Sequence, residues 1–278
     1  MSFGSRLSDR VEARGRLCVG IDPHPALLDR WGLTDSVFGL EKFALTAVEA
    51  LAGAVAVVKP QSAFFERHGS RGIGVLEQVI DGCRELGALV LLDVKRGDIG
   101  STVQAYADAY LDPRSPLAAN AVTASPFLGV GSLDPLVETA LAHGAGVFLL
   151  ALTSNPEGPQ VQHAITADGR TVAAHVLDAV ATRNAGIDGP GSVGAVVGAT
   201  IQRPTDVSAE QLDVNGPLLV PGVGAQGGTV DDVRRIFGAA TRHVLPSSSR
   251  EILAAGPDKV ALHDAARRAV DTFATLTP

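Results

Sequence analysis

In LLDVKRGDIGST, residues 91–102, an apolar run ends in an acid, a base and a second acid: Asp93, Lys95 and Asp98. Such a cluster is either a solvated turn or an array in which opposite charges fix one another. Exposed ion pairs are worth about 0–1 kcal/mol each, so a surface turn needs no function to explain it. An array would supply a cation and a proton where negative charge develops. Side chains alternate along a strand, so Asp93 and Lys95 are expected on one side. Asp98 follows the turn Arg96-Gly97-Asp98, and Ser101 or Thr102 is placed to cap a helix beginning near 102. Lys59 ends a second apolar run, AVAVVKP (54–60). An ammonium is costly there unless it snorkels to the rim or meets an acid. Beside Asp93 it would complete an alternating set of two cations and two anions.

A separate pattern suits an anion. PGVGAQGGT (221–229) is a glycine-rich loop whose amides can wrap a phosphate, with Gln226 adding a side-chain amide. SSSREIL (247–253) sets Arg250 near the start of a short helix, where cation and helix dipole both favour negative charge. Gly222, Gly224 and Gly227 also spell GxGxxG, but the acid expected about twenty residues later on a dinucleotide's ribose is missing, and that region reads RHVLPSSS. A dinucleotide fold is rejected. Asp22, in DPHP, either presents a carboxylate to sugar hydroxyls or makes a turn. Ser154, in LTSNPEG, either bonds a heterocycle or caps a helix, and taken alone the cap is the better reading. The seven histidines show no HxH or HExxH spacing, there is no GxSxG elbow, and no metal site is expected.

These residues must be positioned by a scaffold. Eight short apolar runs recur: 16–22, 54–60, 88–94, 118–124, 146–152, 193–199, 217–223 and 242–248. Helical periodicity lies between them, clearest at 40–53 and 101–111 and weaker at 171–184 and 229–240. Buried strands alternating with helices predict a parallel sheet covered by helices. Eight such units in 278 residues fit a closed (β/α)8 barrel better than an open doubly wound sheet. No linker or charge block divides the chain, so one domain over 1–278 is expected. In a barrel, chemistry sits where strands end. Asp22, Lys59, Asp93, Lys95, Asp98, Thr123, Ser154, Thr200, Gln226 and Arg250 all fall at such ends. Composition agrees, with 46% hydrophobic and 19% charged residues giving a sizeable core. A net charge of -7 argues against a general nucleic-acid or membrane-surface role, though not against a phosphorylated substrate. Cys18 and Cys83 read as buried, reduced thiols. The polar N-terminus lacks a signal-peptide core, and a soluble cytoplasmic protein is expected.

Taken in order, GIDPHP, VVKPQSAFFE, DVKRGDIGST, LTSNPEG, PGVGAQGG and SSREI resemble the segments of the orotidine 5'-phosphate decarboxylase family, from about residue 16 to 253. FFERHG, LTSNPEG and VVGAT point to its longer-chain branch. The resemblance implies decarboxylation of orotidine 5'-monophosphate to uridine 5'-monophosphate in pyrimidine biosynthesis, without cofactor or metal. It makes Lys95 the proton donor to C6, with Lys59, Asp93 and Asp98 completing the charged array. Asp22 would bind ribose, Ser154 the pyrimidine, and Gln226 and Arg250 the phosphate. Asp98 and Thr102 would act across a homodimer interface, on the partner's substrate. VTASPF differs from the histidine-containing form of shorter-chain relatives, so Thr123 is given no role. Two alternatives stand beside this. One is a magnesium-dependent phosphosugar decarboxylase or aldolase of the same suprafamily, in which an acid typically replaces Lys59. The other is a non-enzymatic nucleotide-binding barrel.

Overall fold

The computed structural model describes residues 1–224 and 227–276. Eight parallel strands close in sequence order: β1 (Cys18–Ile21), β2 (Val57–Pro60), β3 (Leu89–Arg96), β4 (Ala121–Ala124), β5 (Gly146–Leu152), β6 (Val193–Val197), β7 (Leu218–Pro221) and β8 (Val244–Ser248). Each overlaps one of the expected runs, and β1 pairs with β8 to complete a (β/α)8 barrel. Most strands are shorter than their apolar runs. In the fourth, Asn120 turns its side chain to accept the Val90 N–H at 2.8 Å, and regular pairing starts one residue later.

The expected helices occupy Val37–Leu51, Gly100–Leu111, Val172–Arg183 and Val230–Phe237. In the first, Leu40, Phe43, Ala44, Ala47, Val48 and Leu51 are all buried, as their spacing requires. Ser36 starts it by accepting the Gly39 N–H. The Gly100–Leu111 helix begins earlier than expected, and Ile99 is its N-cap without a side-chain bond. Neither Ser101 nor Thr102 caps it, because both already lie inside the first turn. Periodicity did not reveal Gly69–Glu85, whose glycines at 69, 72, 74 and 82 depress helix propensity. Gly72 serves close packing, since a Cβ there would sit 2.1 Å from the Phe65 carbonyl oxygen. Between β6 and β7 the described segment holds only the 3-10 turn Glu210–Leu212, so the sixth unit lacks its long helix. No described helix is long and apolar enough to cross a membrane.

Two apolar layers result. One lies between strands and helices. The other fills the barrel, where Val57, Leu89, Leu91, Ala121, Phe148, Val196, Leu219 and Leu245 meet. The helix Phe3–Arg14 adds Phe3 and Leu7 to that inner cluster. Phe3 meets Phe148 edge to face, with centroids 5.9 Å apart. The helix is fastened at the strand-start end by Arg6 donating to the Gly144 carbonyl at 2.6 Å and Arg14 to those of Ala52 at 2.8 Å and Leu86 at 3.1 Å. The barrel therefore has an apolar floor and a polar mouth.

Candidate active site

Period-two alternation carries the inner stripes of β2, β3 and β4 from apolar to polar as they reach the mouth, while Leu150, Val196 and Leu219 keep the far wall of the cavity apolar. Val57 is followed inward by Lys59, Leu91 by Asp93, and Ala121 by Thr123. Lys59 and Asp93 are each only 6% exposed, and the Lys59 ammonium donates to Asp93 Oδ2 at 3.1 Å. Lys95 donates to Asp93 Oδ1 at 2.6 Å while remaining half exposed. Three of the four expected members of the array thus form a Lys–Asp–Lys relay in one protomer.

Alternation alone does not explain Lys95. Pairing of β3 with β4 shifts register between Leu92 and Arg96, and Lys95 adopts a left-handed backbone with φ of 46°. That bulge, rather than a regular pleat, turns its side chain back to Asp93. The adjacent cation leaves the array altogether, as Arg96 donates to Glu66 at 2.6 Å and lies over the Tyr106 ring.

The array's electrostatics follow from its neighbours. Burial alone would raise the Asp93 pKa, but Lys59, Lys95 and the hydrogen bonds from Lys95 and Thr123 hold it well below the carboxylate range. For Lys59, burial pulls downward, and the Asp93 and Asp22 carboxylates outweigh it to hold the ammonium above the ordinary lysine value. Burial pushes both the Cys18 and Cys83 thiols up to about 12, so neither is a nucleophile at neutral pH.

Above the array opens a cavity of about 470 Å³. Asp22, Ser154 and Arg250 line it together with Lys59, Asp93 and Lys95. Asp22 lines the cavity, and its Oδ1 is buried with no hydrogen-bond partner among the described residues. Ser154 starts no helix, since the nearest, Pro159–Gln162, begins beyond Gly158, so the capping reading gives way to cavity lining. Arg250 stands exposed on the rim at the first residue of the helix Arg250–Leu253. Gln226 lies outside the described residues. The helix after the glycine loop is closed by its own capping box, in which Asp232 accepts the Thr229 N–H and the Thr229 hydroxyl accepts the Asp232 N–H.

Asp98 and Thr102 stand apart from this cavity. The Asp98 carboxylate accepts the Ile99 N–H at 2.8 Å, and Thr102 is exposed. Two residues without an expected role do belong to the site. Thr123 donates to Asp93 Oδ1 at 2.7 Å and accepts the Lys95 N–H at 3.0 Å. Gln61 donates to the Asp93 carbonyl at 3.3 Å and sets its Oε1 3.5 Å from the Lys95 ammonium. The signal for Gln61 was its place two residues after Lys59, on the same side of the chain.

A closed parallel barrel with its polar groups gathered at the strand ends defines the class of (β/α)8 barrels whose chemistry sits at that mouth. Comparison with known proteins narrows it. The model of the Orotidine 5'-phosphate decarboxylase / HUMPS family matches residues 15–265. The chain is 64% identical over 277 residues to the orotidine 5'-phosphate decarboxylase of Salinispora tropica, covering 99% of each. It is 57% identical to that of Streptomyces coelicolor, covering 96% of this chain and 95% of the relative. A Streptomyces avermitilis crystal structure assigned as an orotidine 5'-phosphate decarboxylase superposes with a TM-score of 0.95 at 56% identity, covering 99% of this chain and 95% of that one. Leishmania donovani OMP decarboxylase follows at 0.77 and 29%, covering 99% and 98%. The chain belongs to the orotidine 5'-phosphate decarboxylase family.

Proposed function

We propose that the chain converts orotidine 5'-monophosphate to uridine 5'-monophosphate in cytoplasmic pyrimidine biosynthesis, with Lys95 as the proton donor and residues 1–278 as one catalytic domain. The observation that carries the reading is the Lys59–Asp93–Lys95 relay on the floor of a cavity that Arg250 also lines. Breaking the C6–carboxylate bond releases carbon dioxide and leaves the electron pair on C6, in the ring plane and outside the π system. A fixed ammonium stabilises that charge and then transfers a proton to C6, forming the product. Solvent returns the proton to the Lys95 amine. Asp93 holds Lys95 in place, and Lys59 holds Asp93.

Asp22 serves ribose, Ser154 the pyrimidine, and Gln226 with Arg250 the phosphate. Binding energy at the phosphate then seats the ring against the array. Two flanking lysines disfavour a dication beside Asp93, which separates this reading from the magnesium-dependent one. A second copy completes the site. Ile99, Phe127 and Leu128, on the loops after β3 and β4, are 62%, 76% and 53% exposed, three large apolar side chains of which Ile99 directly follows Asp98. Covered by a homodimer partner, that surface would carry Asp98 and Thr102 to the neighbouring cavity.

The test is the fall in absorbance of orotidine 5'-monophosphate without added metal. Turnover by the wild type and none by Lys95→Ala is expected. Equal turnover by both would exclude Lys95 as donor.

A further inference from the structure

We propose that Thr123 is a positioning residue for decarboxylation, its buried hydroxyl holding both the Asp93 carboxylate and the backbone of Lys95. The inference rests on Lys95 being the proton donor. Leu92 pairs with Val122 and Arg96 with Ala124, so three residues of β3 (Asp93, Val94 and Lys95) lie opposite the single residue Thr123. The bulge deprives Lys95 of a regular ladder partner for its N–H, and Thr123 Oγ1 accepts that N–H at 3.0 Å. The direction of the other bond is fixed, because an ionised carboxylate only accepts: the Thr123 hydroxyl donates to Asp93 Oδ1 at 2.7 Å. Lys95 donates to the same Oδ1 at 2.6 Å. One hydroxyl therefore grips the bulge at its backbone and at its carboxylate, and both grips act on the position of the Lys95 ammonium. Thr123 is 1% exposed, which leaves its side chain no alternative partner in bulk water. Lys95 needs such a grip more than most residues, since its φ of 46° lies where side chains are rarely tolerated.

Thr123→Val keeps the shape and removes the hydroxyl, whereas Thr123→Ser keeps the hydroxyl. Thr123→Val should lower kcat about 10- to 100-fold, the range of a hydrogen bond to a charged group, while uridine 5'-monophosphate affinity changes less than about twofold. Thr123→Ser should recover most of the lost kcat. A Thr123→Val enzyme with wild-type kcat would overturn the proposal, as would a serine variant no better than the valine one. So would a loss confined to nucleotide affinity. Wild type and Lys95→Ala are assayed alongside. A normal Thr123→Val beside an inactive Lys95→Ala sinks only the role of Thr123, whereas an active Lys95→Ala sinks the assignment of Lys95 itself.

Discussion

Asp93 accepts from three side chains at once: Lys59 on one carboxylate oxygen, Lys95 and Thr123 on the other. Replacing it leaves Lys59 charged, buried and unpaired. Asp93→Asn should therefore cost about 3–5 kcal/mol in urea denaturation, and Lys59→Met in the same chain should return much of that loss. A double variant no more stable than Asp93→Asn alone would show the pair is not coupled. The pH dependence has a definite sign. The Asp93 pKa is depressed by folding, so its contribution is complete above the unfolded carboxylate value of about 4 and is lost as pH falls through the folded value. Lys59 is raised, so its contribution is complete below the unfolded lysine value of about 10.4 and is lost as pH rises through the folded one. Thermal unfolding against pH should show a plateau from this pair between those limits, with its acid edge missing in Asp93→Asn. Lys59, Asp93 and Lys95 were legible because charges at the ends of apolar runs demand partners. Thr123 was not, because its role depends on the offset between two strands, and no single run of residues records a register.

The strands were legible as elements for the same reason that they are buried: parallel strands covered on both faces read as short apolar runs. Helices were harder. Gly69–Glu85 hides behind its four glycines, of which packing requires Gly72, and the absent sixth helix was masked by the regularity of its neighbours. The helix Phe3–Arg14 has few apolar residues, yet it places Phe3 under Phe148, where it is 1% exposed. Phe3→Ala should cost about 3–5 kcal/mol by leaving a cavity at the base of the barrel. Equilibrium denaturation measures this directly, and a change below about 1 kcal/mol would mean that the floor collapses to fill the gap.

At the scale of the whole molecule, Asp98 and Thr102 make no hydrogen bond or ion pair with the array of their own chain among the described residues, and only the family resemblance pointed them across an interface. Lys95→Ala and Asp98→Ala subunits are each expected to be nearly inactive, and a purified heterodimer should regain turnover through its one intact site. No recovery in a demonstrated heterodimer would exclude sharing. Ile99→Asp with Phe127→Asp should drive the protein toward monomer in sedimentation, because two charges would have to be desolvated in the contact. Dialysis against EDTA should leave turnover unchanged, in contrast to a magnesium-dependent relative. The Phe3 floor has one more effect, on traffic. Among the described residues the base of the barrel is stoppered, so whatever departs from C6 would leave by the mouth through which the nucleotide enters. Water would meet the same plug, so a nucleotide seated in the mouth would stand between bulk solvent and the Lys95 ammonium.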